Sequence, residues 1–215
     1  MKNFLKNRNG DLVMKKIFVL GDSISIHYGP FLEEYLRGSF EYDRKGKNQE
    51  CKDLNIASQV NGGDSGNVLE YLQLLPDLEY DILLLNCGLH DIKTCDGVRQ
   101  VSEEDYRKNL LRIIDLVMRR GKKIVWVTST PVNDEQHNRI CNEFLRYNAD
   151  LVRYNEIALK VIEEKQIPVI DLYEFTNRLN MPLHQDHVHF YEPIRKLQAA
   201  FIAGHLMALE QNGVI

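Results

Sequence analysis

The chain has 215 residues, which suits one domain with a full-sized core, and its hydrophobic (44%) and charged (27%) fractions are ordinary for a globular protein. A formal net charge of −4 provides no basic surface for nucleic acid. No apolar run approaches the roughly 20 residues of a membrane-spanning helix. We therefore expect neither a nucleic-acid partner nor a membrane partner.

The N-terminus carries basic residues but lacks the apolar segment and the small-residue cleavage site of a signal peptide. Four cysteines without a C-x-x-C pair favour free thiols in a reducing compartment. Together these features predict a cytoplasmic protein. The folded pattern begins at Lys16, so residues 1–15 are predicted to be a disordered leader and residues 16–215 one domain; a start at Met14 is the alternative.

Short apolar runs alternate with helical patterns along the chain. Buried strands are predicted at residues 17–20, 81–86, 124–128 and 168–171. Helices are predicted from Pro30 to Gly38, over residues 68–75 up to Pro76, from the Ser102 cap to Gly121, from about 143 to about 166, and over 193–209. Continuously apolar strands separated by helices are typical of a parallel sheet covered on both faces, so we predict an α/β fold. The functional site of such a sheet lies at the carboxyl ends of its strands.

The first strand runs into Gly-Asp-Ser-Ile-Ser at residues 21–25. A serine between a strand and a helix is held above the sheet edge, where N–H groups at the helix start face a developing anion. Ser23 is therefore a candidate nucleophile. The alternative is that Ser23 and Ser25 simply cap the helix.

Asp186 and His189 lie three residues apart, just before the last helix. A carboxylate at that spacing can fix the imidazole tautomer, so that the other ring nitrogen accepts a proton from Ser23. Taken alone, the pattern is equally typical of a polar loop. His184 and His187 add metal-ligating groups, but H-x-x-H-x-H is not a recognised ligand spacing. We expect no metal and no cofactor.

Two segments between these motifs are candidates for an oxyanion hole. Asn61, Gly63 and Gly66 form a Gly-rich turn ahead of a helix, where Gly63 could present its N–H to an anion. A plain turn is the alternative, and the spacing of a phosphate loop is absent. His90 follows the second strand and could donate from its imidazole. The alternative is a solvated loop histidine paired with Asp91.

In this order the motifs resemble the blocks of the SGNH (GDSL-type) hydrolase family. The matching blocks are residues 21–25, Asn61-x-Gly63-x-x-Gly66 and Asp186-x-x-His189. The resemblance covers nearly the whole chain from Lys16. It implies a flavodoxin-like three-layer α/β/α sandwich with a five-stranded parallel sheet, whose remaining strand would lie near residues 40–42.

The resemblance also implies metal-independent ester hydrolysis. Ser23 would be the nucleophile, His189 the base and Asp186 the orienting acid, with the N–H groups of Ser23 and Gly63 in the oxyanion hole. The family's third block is G-x-N-D, and His90 stands here in place of the asparagine. A neutral His90 would donate instead and make the rate pH-dependent near neutrality; otherwise the hole is weaker. We favour retained hydrolysis.

The predicted function is hydrolysis of a small-molecule ester, with an O-acetyl group on a sugar as one example. An acyltransferase using the same serine and a catalytically weak ligand-binding protein are the alternatives. An α/β-hydrolase is disfavoured because Ser25 stands where that family's nucleophile motif has glycine. A nucleotide-binding loop would need more glycines after the first strand. Residues 43–60 and the loop through Asn133 and His137 are predicted to help select the substrate.

Overall fold

A computed structural model describes residues 14–50, 53, 56–75 and 78–215. Strands are numbered in chain order: β1 (Lys16–Leu20), β2 (Glu41–Arg44), β3 (Ile82–Leu85), β4 (Thr94–Cys95), β5 (Val98–Arg99), β6 (Lys123–Val127) and β7 (Val169–Ile170). Five of them form a parallel sheet in the order β2-β1-β3-β6-β7, while β4 and β5 form a separate antiparallel pair. The predicted α/β fold with a five-stranded parallel sheet is confirmed.

The helices are α1 (Ser23–Leu36), α2 (Ser65–Leu74), α3 (Glu103–Arg119), α4 (Asp134–Ile140), α5 (Asn148–Glu164), α6 (Leu172–Asn177) and α7 (Glu192–Gln211). Helix α7 packs against α1 and α6, whereas α3 packs against α2 and α5. The two groups form the outer layers around the sheet. All four residues of β3 are buried, as a central strand covered on both faces requires.

The first helix differs from its prediction. Pro30 was expected in the first turn, but α1 begins at Ser23 and Pro30 lies inside it. The reason is the cap: the Asp22 carboxylate accepts a hydrogen bond from the N–H of Ile24 and starts the helix directly after β1. Pro30 then lacks the N–H that the Ile26 carbonyl would accept, a loss that the surrounding packing tolerates.

Other boundaries also shift. Strand β2 starts within the predicted stretch 40–42 but extends to Arg44, so the segment 43–60 begins inside the sheet. The helix predicted from about 143 begins only at Asn148. Helices α4 and α6 and the β4–β5 pair were not predicted, because elements this short carry little periodic signal.

Some predictions fall outside the described residues, namely those on residues 1–13 of the predicted leader, on Pro76, and on residues 51, 52, 54 and 55 of the segment 43–60, Cys51 included. Lys15, the last residue of the predicted leader, is described. Its ammonium donates to the Glu210 carboxylate at 2.9 Å and to the backbone oxygen of Ile215 at 2.7 Å. Across the part of the chain that the structure describes, no helix has the length and apolar character to cross a membrane.

Candidate active site

The predicted nucleophile lies at the carboxyl end of β1. The Asp22 carboxylate accepts from the N–H of Ile24, as described above, and the Ser25 hydroxyl donates to the Asp22 carbonyl at 2.7 Å. These bonds define the turn from strand to helix and make Ser23 the first residue of α1, only 4% exposed. A hydroxyl at a helix N-terminus lies where free N–H groups and the helix dipole favour negative charge.

Asp186, His189 and Ser23 form an unbroken hydrogen-bonded series. His189 Nε2 is 3.0 Å from Ser23 Oγ, and His189 Nδ1 is 2.7 Å from Asp186 Oδ2. An ionised carboxylate can only accept, so Nδ1 carries the proton and Nε2 is free to accept one. This arrangement is that of a serine activated by an oriented imidazole.

Asp186 remains ionised in this position. Partial burial raises the pKa of its carboxyl, but the hydrogen bonds from the His189 imidazole and from the N–H groups of His189 and Val188 outweigh burial and hold the pKa well below its usual range. The two N–H groups lie 2.8 and 2.9 Å from Asp186 Oδ1. A permanent carboxylate would stabilise an imidazolium at His189.

Two further hydrogen bonds fix the loop that carries Asp186 and His189. The N–H of Gln185 donates to the His189 carbonyl at 2.8 Å, and His184 Nε2 donates to the Pro131 carbonyl at 3.1 Å. His184, one of the histidines of the H-x-x-H-x-H pattern, therefore has a backbone partner. Within the described ranges, no group of three or more His, Cys, Asp or Glu side chains is arranged to hold a metal ion.

The turn that carries Gly63 contacts the turn that carries Ser23, because the N–H of Gly62 donates to the Gly21 carbonyl at 2.9 Å. Gly63 has a φ of 74°, and a Cβ there would lie 2.6 Å from Asn67 Oδ1, so only glycine fits. Its N–H donates to Asn61 Oδ1 at 2.9 Å. An oxyanion at Gly63 would therefore share this N–H with the Asn61 side chain.

His90 is buried, with 3% of its surface exposed, which removes the alternative of a solvated histidine. Its neighbour Asp91 accepts a hydrogen bond from the N–H of Ser65 at 2.9 Å, which ties this loop to the start of α2. Burial lowers the pKa of His90 well below its ordinary value, and the charges of Lys93 and Arg146 lower it further. His90 is thus neutral at neutral pH, so the predicted pH dependence near neutrality is no longer expected.

Arg146 is a charged residue at the site that sequence reasoning missed. Its side chain is 2% exposed, and Nε donates to the Leu89 carbonyl at 2.9 Å, next to His90. Nη1 is buried and has no hydrogen-bond partner among the described residues. Burial lowers the pKa of Arg146 to about 10, which still leaves a cation at neutral pH. No local pattern marks it, because it lies in the irregular segment before α5.

His27 was also missed. Its ring lies 4.7 Å from the His189 ring, centroid to centroid. Burial, followed by the charge of His189, lowers the pKa of His27 to about 4. Because residues four apart share a helix face, the spacing of His27 from Ser23 was the available signal.

The two described ends of the segment 43–60 contact the turns beside the candidate site. Arg44 Nη1 donates to the Ser25 carbonyl at 2.9 Å, and Lys45 Nζ donates to the Asn61 carbonyl at 2.9 Å. At Gly46 the chain passes the Gln59 carbonyl so closely that a Cβ would lie 2.5 Å from its oxygen. Both ends of the segment therefore pack beside the turns that carry Ser23 and Gly63.

The model of the GDSL-like lipase/acylhydrolase family matches residues 19–193. This chain belongs to that family. The resemblance to SGNH (GDSL-type) hydrolases is thereby confirmed, and with it the general class of acylhydrolases and esterases. Among curated proteins, none matches this chain in sequence.

Solved structures share the fold. A lipase/acylhydrolase from Enterococcus faecalis is 17% identical with a TM-score of 0.69, covering 91% of this chain and 96% of its own. The acetyl xylan esterase AlAXEase is 18% identical with a TM-score of 0.67, covering 89% of this chain and 99% of its own. An aryl esterase of M. smegmatis is 15% identical with a TM-score of 0.66, covering 91% of this chain and 99% of its own. At these identities the likeness establishes the fold alone.

Proposed function

We propose that this chain is a serine esterase that hydrolyses a small acyl ester through an acyl-enzyme on Ser23. The observation that carries this proposal is the hydrogen-bonded series from Asp186 through His189 to Ser23, at the carboxyl edge of the sheet. Family membership supports the reaction class. The roles of the individual residues are our assignment.

In the first half-reaction Ser23 Oγ attacks the ester carbonyl carbon while His189 Nε2 takes the hydroxyl proton. The tetrahedral intermediate collapses as the imidazolium returns that proton to the departing alcohol oxygen, leaving an acyl-serine. In the second half-reaction the neutral imidazole deprotonates a water, which attacks the acyl carbon. Ser23 leaves with the proton, so one ester and one water become one acid and one alcohol.

The oxyanion of each tetrahedral intermediate would be held by the N–H groups of Ser23 and Gly63 and by the His90 imidazole. A neutral imidazole has one N–H, which can replace the amide donor that the family usually has at this position. The buried Arg146 cation beside His90 adds favourable charge. Every step uses these groups and water, so the proposal includes no metal and no cofactor.

The acyl group is proposed to be small, with an O-acetyl group on a carbohydrate as one candidate. This part rests on analogy with the acetyl xylan esterase of the same fold.

The test is the hydrolysis of p-nitrophenyl acetate by wild type, Ser23→Ala and Ser25→Ala. Loss of a triad nucleophile costs on the order of 10⁴- to 10⁶-fold in kcat, so Ser23→Ala should be inactive. Ser25 is the matched control, because its hydroxyl donates to the Asp22 carbonyl; this variant should stay within about tenfold of wild type. Equal activity in wild type and Ser23→Ala would refute the covalent mechanism.

A further inference from the structure

A histidine pair that the proposed mechanism does not use lies beside the triad. The Nδ1 atoms of His137 and His187 are 2.6 Å apart, and His137 Nε2 is 3.2 Å from the Phe144 carbonyl oxygen. His137 is fully buried on α4, whereas His187 is half-buried in the loop that carries His189. The pair therefore connects the protein interior to the edge of the candidate site.

The contacts determine where the protons are. A carbonyl oxygen only accepts, so His137 Nε2 must carry a proton, and Nδ1 of the neutral ring is then an acceptor. His187 Nδ1 must in turn carry the proton that it donates to His137. His187 Nε2 is consequently an unprotonated acceptor.

Both rings stay neutral at neutral pH. Burial lowers the pKa of His137 to about 4, helped by the charges of Arg146 and His187. Burial also lowers the pKa of His187, against the opposing effect of Asp186. The tautomers assigned above are therefore the forms present where esterases are assayed.

The ring that carries this free acceptor lies near the catalytic base. The His187 and His189 ring centroids are 6.3 Å apart, and the His187 carbonyl accepts a hydrogen bond from the N–H of Asn133 at 3.1 Å. Within the described residues the one side-chain hydrogen bond of His187 is made by Nδ1, which leaves Nε2 unpaired. In the proposed mechanism His189 protonates the departing alcohol, so His187 presents an acceptor next to the alcohol part of the ester.

We propose that His187 is a specificity residue that accepts a hydrogen bond from a free hydroxyl on the alcohol part, one or two carbons from the ester oxygen. The favoured substrates are then acyl esters of polyols, including sugars, rather than simple alkyl esters. His137 is a positioning residue that sets the tautomer of His187. This inference rests on the proposed function.

The experiment compares 2-hydroxyethyl acetate with 2-methoxyethyl acetate, which differ by the methyl cap on one hydroxyl. A methoxy oxygen has no proton to donate and leaves His187 Nε2 unpaired. The readout is the ratio of kcat/KM for the two esters, and dividing the ratio of a variant by that of wild type removes their intrinsic difference in reactivity. One such hydrogen bond corresponds to about tenfold in this ratio.

Three variants separate specificity from structure. His187→Phe should lower the ratio about tenfold, and His187→Gln, whose amide oxygen accepts, should restore part of it. His137→Phe removes the group that sets the tautomer and should lower the ratio less than His187→Phe does. Thermal unfolding of each variant identifies any that fail to fold.

A ratio that is unchanged in both His187 variants, in a wild type that turns over p-nitrophenyl acetate, would overturn this inference and leave the proposed function standing. An equal loss on both esters would do the same, because it assigns His187 a structural role. A wild type that hydrolyses none of the three esters would overturn the proposed function itself.

Discussion

The triad, on one side of the candidate site, and the Arg146 guanidinium, on the other, differ in how completely their hydrogen-bonding groups are paired. On one side Asp186, His189 and Ser23 form a continuous series of hydrogen bonds. On the other, Nη1 of Arg146 is buried and pairs with no other described residue. Unpaired buried polar groups cost stability, so their retention favours a role in function over a role in folding. We infer that the triad is assembled before substrate binds, whereas Nη1 of Arg146 gains its best partner in the negative charge of the reaction.

The largest expected effect comes from the paired side. Asp186→Asn keeps the size of the side chain but removes the charge that orients His189, and should reduce kcat on p-nitrophenyl acetate by roughly 10⁴-fold. Glu192→Gln is the control. The Glu192 carboxylate is exposed on α7 and pairs with Lys196, so its loss should leave kcat unchanged. A modest effect of Asp186→Asn would mean that the pairing on this side is structural.

His90→Ala tests the opposite side at its proposed oxyanion donor. Loss of one such donor costs on the order of 100- to 1,000-fold in kcat, with little change in KM, because the bond strengthens only in the transition state. His205 on α7 is the matched control, because it contacts Phe201 and lies outside the site. Equal changes in kcat for the two alanine variants would remove His90 from the proposed oxyanion hole.

The low pKa of His90 adds a pH measurement to the same prediction. A histidine with a pKa well below its ordinary value is neutral both at and above neutral pH, and becomes charged only in acid. Wild type and His90→Asn should therefore show pH–rate profiles of the same shape between about pH 6 and 9. A wild-type transition in that range that His90→Asn abolishes would contradict the assigned neutral state.

The smallest expected effect is at Arg146. Arg146→Met should lower kcat/KM by about tenfold, through loss of the charge and of the hydrogen bond that holds the Leu89 carbonyl. The same substitution leaves the Leu89 carbonyl without this donor, so the midpoint of thermal unfolding should fall as well. Arg153→Met, at an exposed ion pair, should change neither quantity. A fall in the unfolding midpoint without loss of activity would assign Arg146 to folding alone.

Local signals predicted the elements well where one residue type or period dominates. The Ile-Leu-Leu-Leu run of β3 and the Ser102 cap of α3 are visible without any tertiary contact. The predicted start of α1 was wrong because the prediction relied on Pro30 and overlooked the Asp22 cap. Arg146 and the pairing of His137 with His187 were missed because both depend on burial and tertiary contact, which no spacing reports.

The sequence alone determined the alternation of strands and helices and the order of the family's blocks, because hydrophobic periodicity, caps and short motifs are local properties. Only the tertiary structure decided which side chains meet. Ser23 and His189 are 166 residues apart in the chain yet within hydrogen-bond distance, since parallel strands bring their carboxyl ends to one edge. Protonation states were decided there as well, because the pKa values of His90 and His137 depend on desolvation and on the nearby Arg146 charge.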